Sequence, residues 1–152
     1  MHSKSVVHRD LKLDNIIVDA NERVKILDFG FASKCAANDT MSYHCGTPHY
    51  MDPDLIQKRN YSGQAADVWA LGVILFTLVA GQVPFHAEFE QDLVRRISSG
   101  KYAWPRNYRN SQIPIEDRLS SEVKALINTI FEPVAEKRPS ASDLLEHEFF
   151  ND

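Results

Sequence analysis

Several features are scarce in this 152-residue chain, and each scarcity excludes a class of protein. Cys35 and Cys45 are too few for a disulfide framework or a zinc site. The net charge of −4 leaves no basic excess of the kind that binds nucleic acid. The apolar run from Val68 to Ala80 is too short to span a bilayer, and the first residues lead us to expect no secretory leader. We expect one cytoplasmic or nuclear domain without a membrane or nucleic-acid partner.

Two short strings of residues carry the clearest chemistry. His8-Arg9-Asp10-Leu11-Lys12-Leu13-Asp14-Asn15 has the pattern H-R-D-L-x-x-x-N, and Asp28-Phe29-Gly30 follows after a gap long enough for two strands. The first string resembles the catalytic loop of protein kinases, and the second resembles their metal-binding D-F-G. Two matches in the family's order rarely arise by chance.

The residue types in these strings suit phosphoryl transfer, which needs positioning and charge neutralisation more than covalent chemistry. Asp10 can accept the proton of an attacking hydroxyl, and Lys12 can neutralise charge on the transferred phosphate. Asn15 and Asp28 offer hard oxygen ligands of the kind that Mg²⁺ prefers. The resemblance implies ATP and Mg as cofactors, held on the nucleotide side by Lys12, Asn15, Ile17 and Asp28.

The residues between the two strings predict a β-hairpin. Ile16-Ile17-Val18 and Val24-Lys25-Ile26-Leu27 are two runs rich in β-branched residues, and a polar turn joins them. The two ends of a hairpin lie side by side, so Asn15 and Asp28 should reach one metal. We expect both to converge with the catalytic string on one acidic edge of a cleft.

Further strings extend the resemblance over nearly the whole chain. Cys45-Gly46-Thr47-Pro48-His49-Tyr50 is similar to the peptide-binding end of an activation segment, and Asp67-Val68-Trp69-Ala70-Leu71-Gly72 to the start of a central helix. Residues 1–150 thus resemble the C-terminal lobe of a eukaryotic-type serine/threonine protein kinase, closest in wording to the calcium/calmodulin-dependent and AMP-activated group. This implies a mainly α domain with a small β-hairpin at the catalytic loop and no N-terminal lobe.

The resemblance also implies roles for residues around the catalytic aspartate. His8 would pack on Phe29 of the second string. Arg9 would pair with a phosphorylated residue of the activation segment. Asp14 and Thr47 would contact the protein substrate, with Asp14 attracting a basic residue.

Three residues beyond this region have structural interpretations. Asp67 could be an acid favoured by the dipole at a helix start; the resemblance instead implies a buried acid that accepts N–H groups of the catalytic loop. Arg138 resembles the buried arginine that pairs with the acid of an A-P-E triplet. That triplet reads Asp52-Pro53-Asp54 here, so we predict an ion pair between Arg138 and Asp54, whose side chain is one methylene shorter than glutamate.

The sequence departs from the family at two other places. Tyr43 stands two residues before Cys45, where a phosphothreonine is usual, so Ser42 or Thr40 could be phosphorylated instead, or no phosphorylation is needed. The sequence also contains no glycine-rich loop and no lysine strand of the V-A-I-K type. The adenine floor at Ile17 would then face water.

Apolar periodicity predicts the helices of the remaining chain. We expect helices over Ala65–Val79, Glu88–Ser98 and Ser120–Phe131. A final helix should begin after Ser140, with Asp143 as its capping partner.

Three interpretations of function follow. The first is a serine/threonine kinase that phosphorylates a protein substrate with ATP and is regulated by a kinase or other partner. Under this interpretation residues 1–152 alone should be nearly inactive. The second is a non-catalytic, kinase-like interaction module that binds a kinase or a substrate. The third is a fragment without a stable folded product.

Overall fold

The computed structural model describes residues 1–105 and 114–150. Four short strands lie in the first quarter of the chain, and the helices follow them. The strands are β1 (Val6–Val7), β2 (Ile16–Val18), β3 (Val24–Ile26) and β4 (Ser33–Lys34). The helices are α1 (Pro53–Ile56), α2 (Gly63–Ala80), α3 (Glu90–Ser99), α4 (Ile115–Arg118), α5 (Ser121–Ile130) and α6 (Ala141–Leu144). The predicted mainly helical class with a small hairpin is confirmed.

The strands form two antiparallel pairs. β2 pairs with β3 in the register Ile16↔Ile26 and Val18↔Val24, which confirms the predicted hairpin. β1 pairs with β4, and this pairing was not foreseen because strands of two residues carry no periodic signal. The second pair brings the chain after Asp28-Phe29-Gly30 back beside the start of the catalytic loop.

Helix α2 is the centre of the fold. It begins after Ser62, whose side chain accepts a hydrogen bond from the Ala65 amide, and it ends at Gly81 in the left-handed conformation. By length and hydropathy α2 could cross a membrane, yet 61% of it is buried inside this fold, as is typical of a core helix. Its buried side chains are Ala66, Asp67, Val68, Trp69, Ala70, Val73, Ile74, Phe76 and Ala80.

Aromatic side chains tie the loops and helices to α2. Trp69 stacks on Phe85 with ring centroids 5.4 Å apart, and its centroid lies 5.0 Å from that of Phe131. Phe131 follows α5, which packs on α2 through Ile127 and Ile130. This core holds the start of α2, and therefore Asp67, in a fixed position.

The outer helices follow the predicted patterns closely. α3 buries Leu93 and Ile97 on one side, and Ser120 caps α5 by accepting from the Val123 amide. Ser140 and Asp143 form a reciprocal capping box at the start of α6, as predicted.

Gly72 allows α5 to approach the backbone of α2. A Cβ added at this position would overlap the Ile130 side chain and lie 3.0 Å from the Phe131 ring. We expect Gly72→Ala to lower the free energy of unfolding by about 1–3 kcal/mol through overpacking, measured by chemical denaturation. In an exposed helix the same change would stabilise by about 1 kcal/mol. The sign of the change in unfolding free energy therefore shows whether Gly72 is tightly packed against α5.

Leu78→Ala is the matched control for Gly72→Ala, because Leu78 lies on the same helix with its side chain 66% exposed. Its effect should stay within about 0.5 kcal/mol. A Gly72→Ala protein as stable as its parent would contradict the tight packing of α5 on α2.

Candidate active site

The residues of the H-R-D string lie on the loop between β1 and β2, against the start of α2. His8, Asp10 and Asn15 are buried. A single 3₁₀ turn over Leu13–Asn15 reverses the chain into β2. The loop therefore presents a carboxylate and an amide at the edge of the helical core.

The Asp10 carboxylate is held from two sides. Lys12 Nζ lies 3.0 Å from its Oδ2, and Thr47 Oγ1 donates to its Oδ1 at 2.8 Å. Lys12 also donates to Thr47 Oγ1 at 3.2 Å. Thr47 comes from the segment after β4, so the structure joins the predicted substrate residue directly to the predicted catalytic pair.

Lys12 is surrounded by acids. Its hydrogen bond with Asp10 raises the pKa of the Lys12 ammonium, burial opposes the rise, and the charges of Asp10, Asp14 and Asp28 add to it. Lys12 therefore stays protonated across the physiological range. The three carboxylates therefore keep a positive charge in place beside Asp10 at the edge of the cleft.

Asn15 and Asp28 lie at the two ends of the hairpin, as the register requires. The Asn15 side-chain amide donates to the Asp10 carbonyl at 2.9 Å, which leaves its Oδ1 turned away from that bond. The Leu27 amide donates to the Asn15 carbonyl at 2.8 Å. Asp28 is the next residue in the chain, so its backbone lies close to Asn15. One oxygen of Asp28 accepts from the Gly30 amide at 3.1 Å.

These two side chains fit a magnesium ion better than a metal caged entirely by protein. Within the described residues no cluster of three His, Cys, Asp or Glu side chains could hold a metal. Mg²⁺ usually takes one or two carboxylate-type ligands and fills its octahedron with water and phosphate oxygens. Asn15 and Asp28 offer one amide oxygen and one carboxylate, which is a ligand set of this kind.

His8 connects the catalytic loop to the strand before Asp28. Its ring accepts from the Asp10 amide through Nδ1 at 3.3 Å and contacts the Leu27 carbonyl through Nε2 at 2.9 Å. These partners require the neutral ring with its proton on Nε2. The ring centroid lies 5.1 Å from that of Phe29, so the predicted contact is present.

Asp67 anchors the backbone of the same loop. Its carboxylate accepts from the amides of His8 at 2.8 Å and Arg9 at 2.9 Å, as the resemblance implied. His2 Nε2 lies 2.9 Å from Asp67 Oδ2 and completes its set of partners. The loop is thus tied to α2 rather than left to its own conformational preference.

Asp67→Asn should loosen the loop, because an amide oxygen cannot replace both acceptor oxygens. We expect a loss of about 1–3 kcal/mol in unfolding free energy, with faster hydrogen exchange at the His8 and Arg9 amides. Asp92→Asn, on exposed α3, is the control and should change neither. Exchange at both amides identical to the parent would refute the anchoring role.

The backbone is unusual at the residues that flank the site. Arg9 and Asp28 have positive φ, at 70° and 56°, a conformation that is rare for side-chain-bearing residues and clusters at functional sites. Gly46, at φ 115°, lies so close to the loop that an added Cβ would be 2.7 Å from the Arg9 carbonyl. The segment carrying Thr47 can therefore approach Asp10 only with glycine at position 46.

Ile17 and Asp14 lie on the open side of the site. Ile17 is 43% exposed, and Asp14 is exposed beside the catalytic loop. Leu27, Phe29 and Phe31 are exposed as well. Val18 and Val24 are also exposed, but they pair with each other on the opposite face of the hairpin from Ile17.

The predicted ion pair between Asp54 and Arg138 is wrong. Arg138 Nη1 pairs instead with Asp52 Oδ2 at 3.0 Å, and both side chains are completely buried. Asp54 forms a partly exposed pair with Arg59 at the surface. Asp52 is the N-cap of α1 and accepts from the Leu55 amide at 2.9 Å; two residues further along a helix, a side chain points to nearly the opposite side.

Arg138 is enclosed by further partners. It donates to the carbonyls of Ala65 at 2.7 Å and Glu132 at 3.0 Å, and its guanidinium lies 4.8 Å from the Trp69 ring centroid. Burial raises the pKa of the Asp52 carboxyl, and the Arg138 charge opposes that rise. The pair joins α1, α2 and the chain before α6.

Sequence reasoning missed the structural roles of His2, Asp52 and Tyr61. The signal for Asp52 was present, since Asp followed by Pro is a helix N-cap pattern. Tyr61 is buried and pairs with Met41 through two backbone hydrogen bonds. Neither His2 nor Tyr61 stands in a local pattern that would reveal a contact so distant in sequence.

Comparison with known proteins agrees with this geometry. The family description "Protein kinase domain" matches residues 1–150. The chain belongs to the protein kinase family. Its relatives include a probable serine/threonine-protein kinase, PLK, of Dictyostelium discoideum, 36% identical over 99% of this chain and 14% of the relative.

Other relatives of this kinase chain carry similar names. The probable serine/threonine-protein kinase HSL1 of Saccharomyces cerevisiae is 38% identical over 96% of the chain and 9% of its own length. CBL-interacting protein kinase 5 of Oryza sativa subsp. japonica is 37% identical over 98% of the chain and 31% of its own length. The kinase chain thus spans less than a third of each of these relatives.

Proposed function

We propose that this chain supplies the catalytic and peptide-binding half of a serine/threonine protein kinase. The observation that carries the proposal is the arrangement of Asp10, Lys12 and Thr47, in which each side chain contacts the other two. A packing or docking role does not need a carboxylate, an ammonium and a hydroxyl joined at the edge of a cleft. A site that must orient a hydroxyl and neutralise a phosphate does need them.

Asp10 takes the role of proton acceptor. The oxygen of a substrate serine or threonine forms a bond to the γ-phosphorus while the bond to the β–γ bridging oxygen breaks, and the hydroxyl proton passes to the Asp10 carboxylate. Thr47 and Lys12 hold that carboxylate in one orientation. ADP leaves with the bridging oxygen, so atoms and charge balance.

Lys12 and the hairpin ends serve the phosphate side. Lys12, kept protonated by the surrounding acids, neutralises charge that develops on the transferred group. Asn15 and Asp28 would hold magnesium through their side-chain oxygens. When bound, this metal would neutralise the β- and γ-phosphate oxygens. Ile17 would contact the adenine from below.

The acceptor class is proposed from the same contacts. Lys12, two residues after Asp10, resembles the lysine at the same place in the serine/threonine subclass. Exposed Asp14 would attract a basic residue of the substrate.

Two free, buried cysteines suit a cytoplasmic or nuclear setting.

Regulation by a partner is also proposed. The name of the rice relative states that it interacts with CBL, and a kinase or other regulatory protein could bind this chain in the same general way. The exposed apolar floor around Ile17 would serve such binding in the alternative interpretation, a non-catalytic interaction module.

The test uses a chimera, here called the completed kinase, in which a protein-kinase N-terminal lobe that carries a glycine-rich loop and a V-A-I-K lysine is joined to Met1. Purified completed kinase is incubated with labelled ATP, magnesium and three peptides that differ only in a serine, threonine or tyrosine acceptor. We expect transfer to serine and threonine and none to tyrosine. Transfer to tyrosine would contradict the acceptor class, and absence of all transfer with intact folding would favour the interaction module.

A further inference from the structure

Arg9 joins three segments of the chain beside the catalytic aspartate. Its amide donates to Asp67, its Nε donates to the Phe31 carbonyl at 2.6 Å, and its guanidinium carbon lies 5.7 Å from the Tyr43 ring centroid. The backbone contact with Asp67 and the Nε contact with Phe31 hold the two ends of the Arg9 residue. The Tyr43 ring packs against the guanidinium that they position.

The main chain around Tyr43 is held separately. Met41 and Tyr61 exchange two backbone hydrogen bonds at 2.9 and 3.1 Å. The Tyr61 hydroxyl donates to the Tyr43 carbonyl at 3.0 Å, and Tyr61 is only 1% exposed. The Tyr43 side chain, by contrast, is 66% exposed, and its ring lies beside the Arg9 guanidinium.

From Tyr43 the chain runs directly to the catalytic group. His44 follows and contacts the Arg59 carbonyl through Nε2 at 2.8 Å. Buried Cys45 and then Gly46 come next, with Gly46 packed against the Arg9 carbonyl. Thr47 comes next and donates to Asp10 at 2.8 Å. A shift of Tyr43 would therefore be transmitted over four residues to the hydroxyl that orients the proton acceptor.

We infer that Tyr43 is a positioning residue: its ring, seated on the Arg9 guanidinium, holds residues 41–47 in place so that Thr47 reaches Asp10 without a phosphate on this segment. The inference rests on the proposed phosphoryl transfer for its purpose, and on the Arg9 and Tyr43 contacts for its geometry. Arg9 here meets the face of an aromatic ring, which attracts a cation by its quadrupole. This contact replaces the ion pair that a phosphorylated residue would make.

The effect should be modest and specific. A cation–π contact at an exposed site changes an equilibrium by about two- to fivefold. Such a contact requires a ring at position 43 and a cation at position 9, but it does not require the tyrosine hydroxyl. Phenylalanine should therefore replace Tyr43, and leucine should not.

The experiment measures hydrogen exchange in residues 41–47 of the 152-residue protein, produced in bacteria and shown by intact mass to carry no phosphate. We expect Tyr43→Leu to speed exchange in this segment by about two- to fivefold and Tyr43→Phe to match the parent. In an Arg9→Gln background, Tyr43→Leu should add nothing. Phe89→Leu, at an exposed aromatic residue that precedes α3, is the control and should leave the segment unchanged.

Three outcomes would overturn the inference. One is equal exchange in Tyr43→Leu and the parent; another is an undiminished effect of Tyr43→Leu when Arg9 is already glutamine. The third is a parent whose segment gains protection only after a tyrosine or serine/threonine kinase has phosphorylated it. None of these measurements depends on catalysis, so failure of phosphoryl transfer in the completed kinase would be recognised separately.

Discussion

Arg138→Met should lower the free energy of unfolding by about 3–5 kcal/mol, because it leaves the Asp52 carboxylate buried without its partner. Methionine keeps most of the volume and can pack on Trp69, so the effect reports the lost charge together with the lost hydrogen bonds to the Ala65 and Glu132 carbonyls. Chemical denaturation of the 152-residue protein measures it. Asp52→Asn should have a smaller but similar effect, since asparagine keeps the acceptor that caps α1.

The loss in Arg138→Met should depend on pH in a defined direction. Burial raises the pKa of Asp52, and removing the arginine removes the opposing charge. A carboxyl whose pKa is higher in the folded than in the unfolded protein destabilises the fold most when it is ionised in both states. The penalty should therefore be greatest near neutral pH and should shrink as the pH falls towards the unfolded value of about 3.9.

The surface pair provides the matched control for the buried one. Arg59→Met removes the partner of Asp54, and the Arg59 side chain is 55% exposed, so its cost should stay below about 1 kcal/mol. An Arg59→Met protein destabilised as much as Arg138→Met would contradict the assignment of Asp52 to the buried pair and of Asp54 to the surface pair. So would an Arg138→Met protein as stable as its parent.

Residues 1–152 alone should show phosphoryl transfer at background level, whereas the completed kinase should turn over ATP. The chain contains the residues that orient the hydroxyl but no glycine-rich loop or V-A-I-K lysine for the nucleotide phosphates. Loss of positioning in a two-substrate reaction costs several orders of magnitude in rate. A radiolabelled peptide assay at equal protein concentrations measures the ratio.

The comparison between the two proteins needs a control for folding. Both should show the same cooperative unfolding of the helical core when followed by the fluorescence of buried Trp69 and of Trp104, which stacks on Phe76 of α2. Robust turnover by residues 1–152 alone, abolished by Asp10→Asn, would mean that these residues suffice for catalysis and would contradict the expectation.

The catalytic centre was predictable because its residues are close in sequence. Asp10, Lys12 and Asn15 lie within six positions, and the hairpin between Asn15 and Asp28 has a clear β-branched pattern at both strands. Local pattern and local structure therefore agree. The long apolar run of α2 identified the core helix for the same reason.

The supporting contacts were harder to predict because they join distant residues. Arg138 lies 86 positions from Asp52, and the choice between Asp52 and Asp54 depends on which face of α1 meets the core. Local signals favoured Asp52 as a cap, while the family pattern favoured Asp54. The helical geometry decided for Asp52, since the side chain at the N-cap points inward and that of Asp54 points to solvent.

The role of Tyr61 was likewise invisible in the sequence. Its pairing with Met41 is a single isolated bridge across 20 positions, with no run of alternating residues on either side. Contacts of this kind depend on the fold being already formed. The same is true of His2, which meets Asp67 only because β1 lies against α2.

The most direct test of the account is the rate of phosphoryl transfer by the completed kinase before and after Asp10→Asn. Asparagine keeps the size but only one acceptor oxygen, so it retains one of the two contacts that Thr47 and Lys12 make with Asp10, and it cannot accept the hydroxyl proton. The account predicts a fall in kcat of about 10²- to 10⁴-fold, with Asp92→Asn on exposed α3 unchanged. A kcat within a fewfold of the parent in Asp10→Asn would contradict the assignment of this site as the centre of phosphoryl transfer.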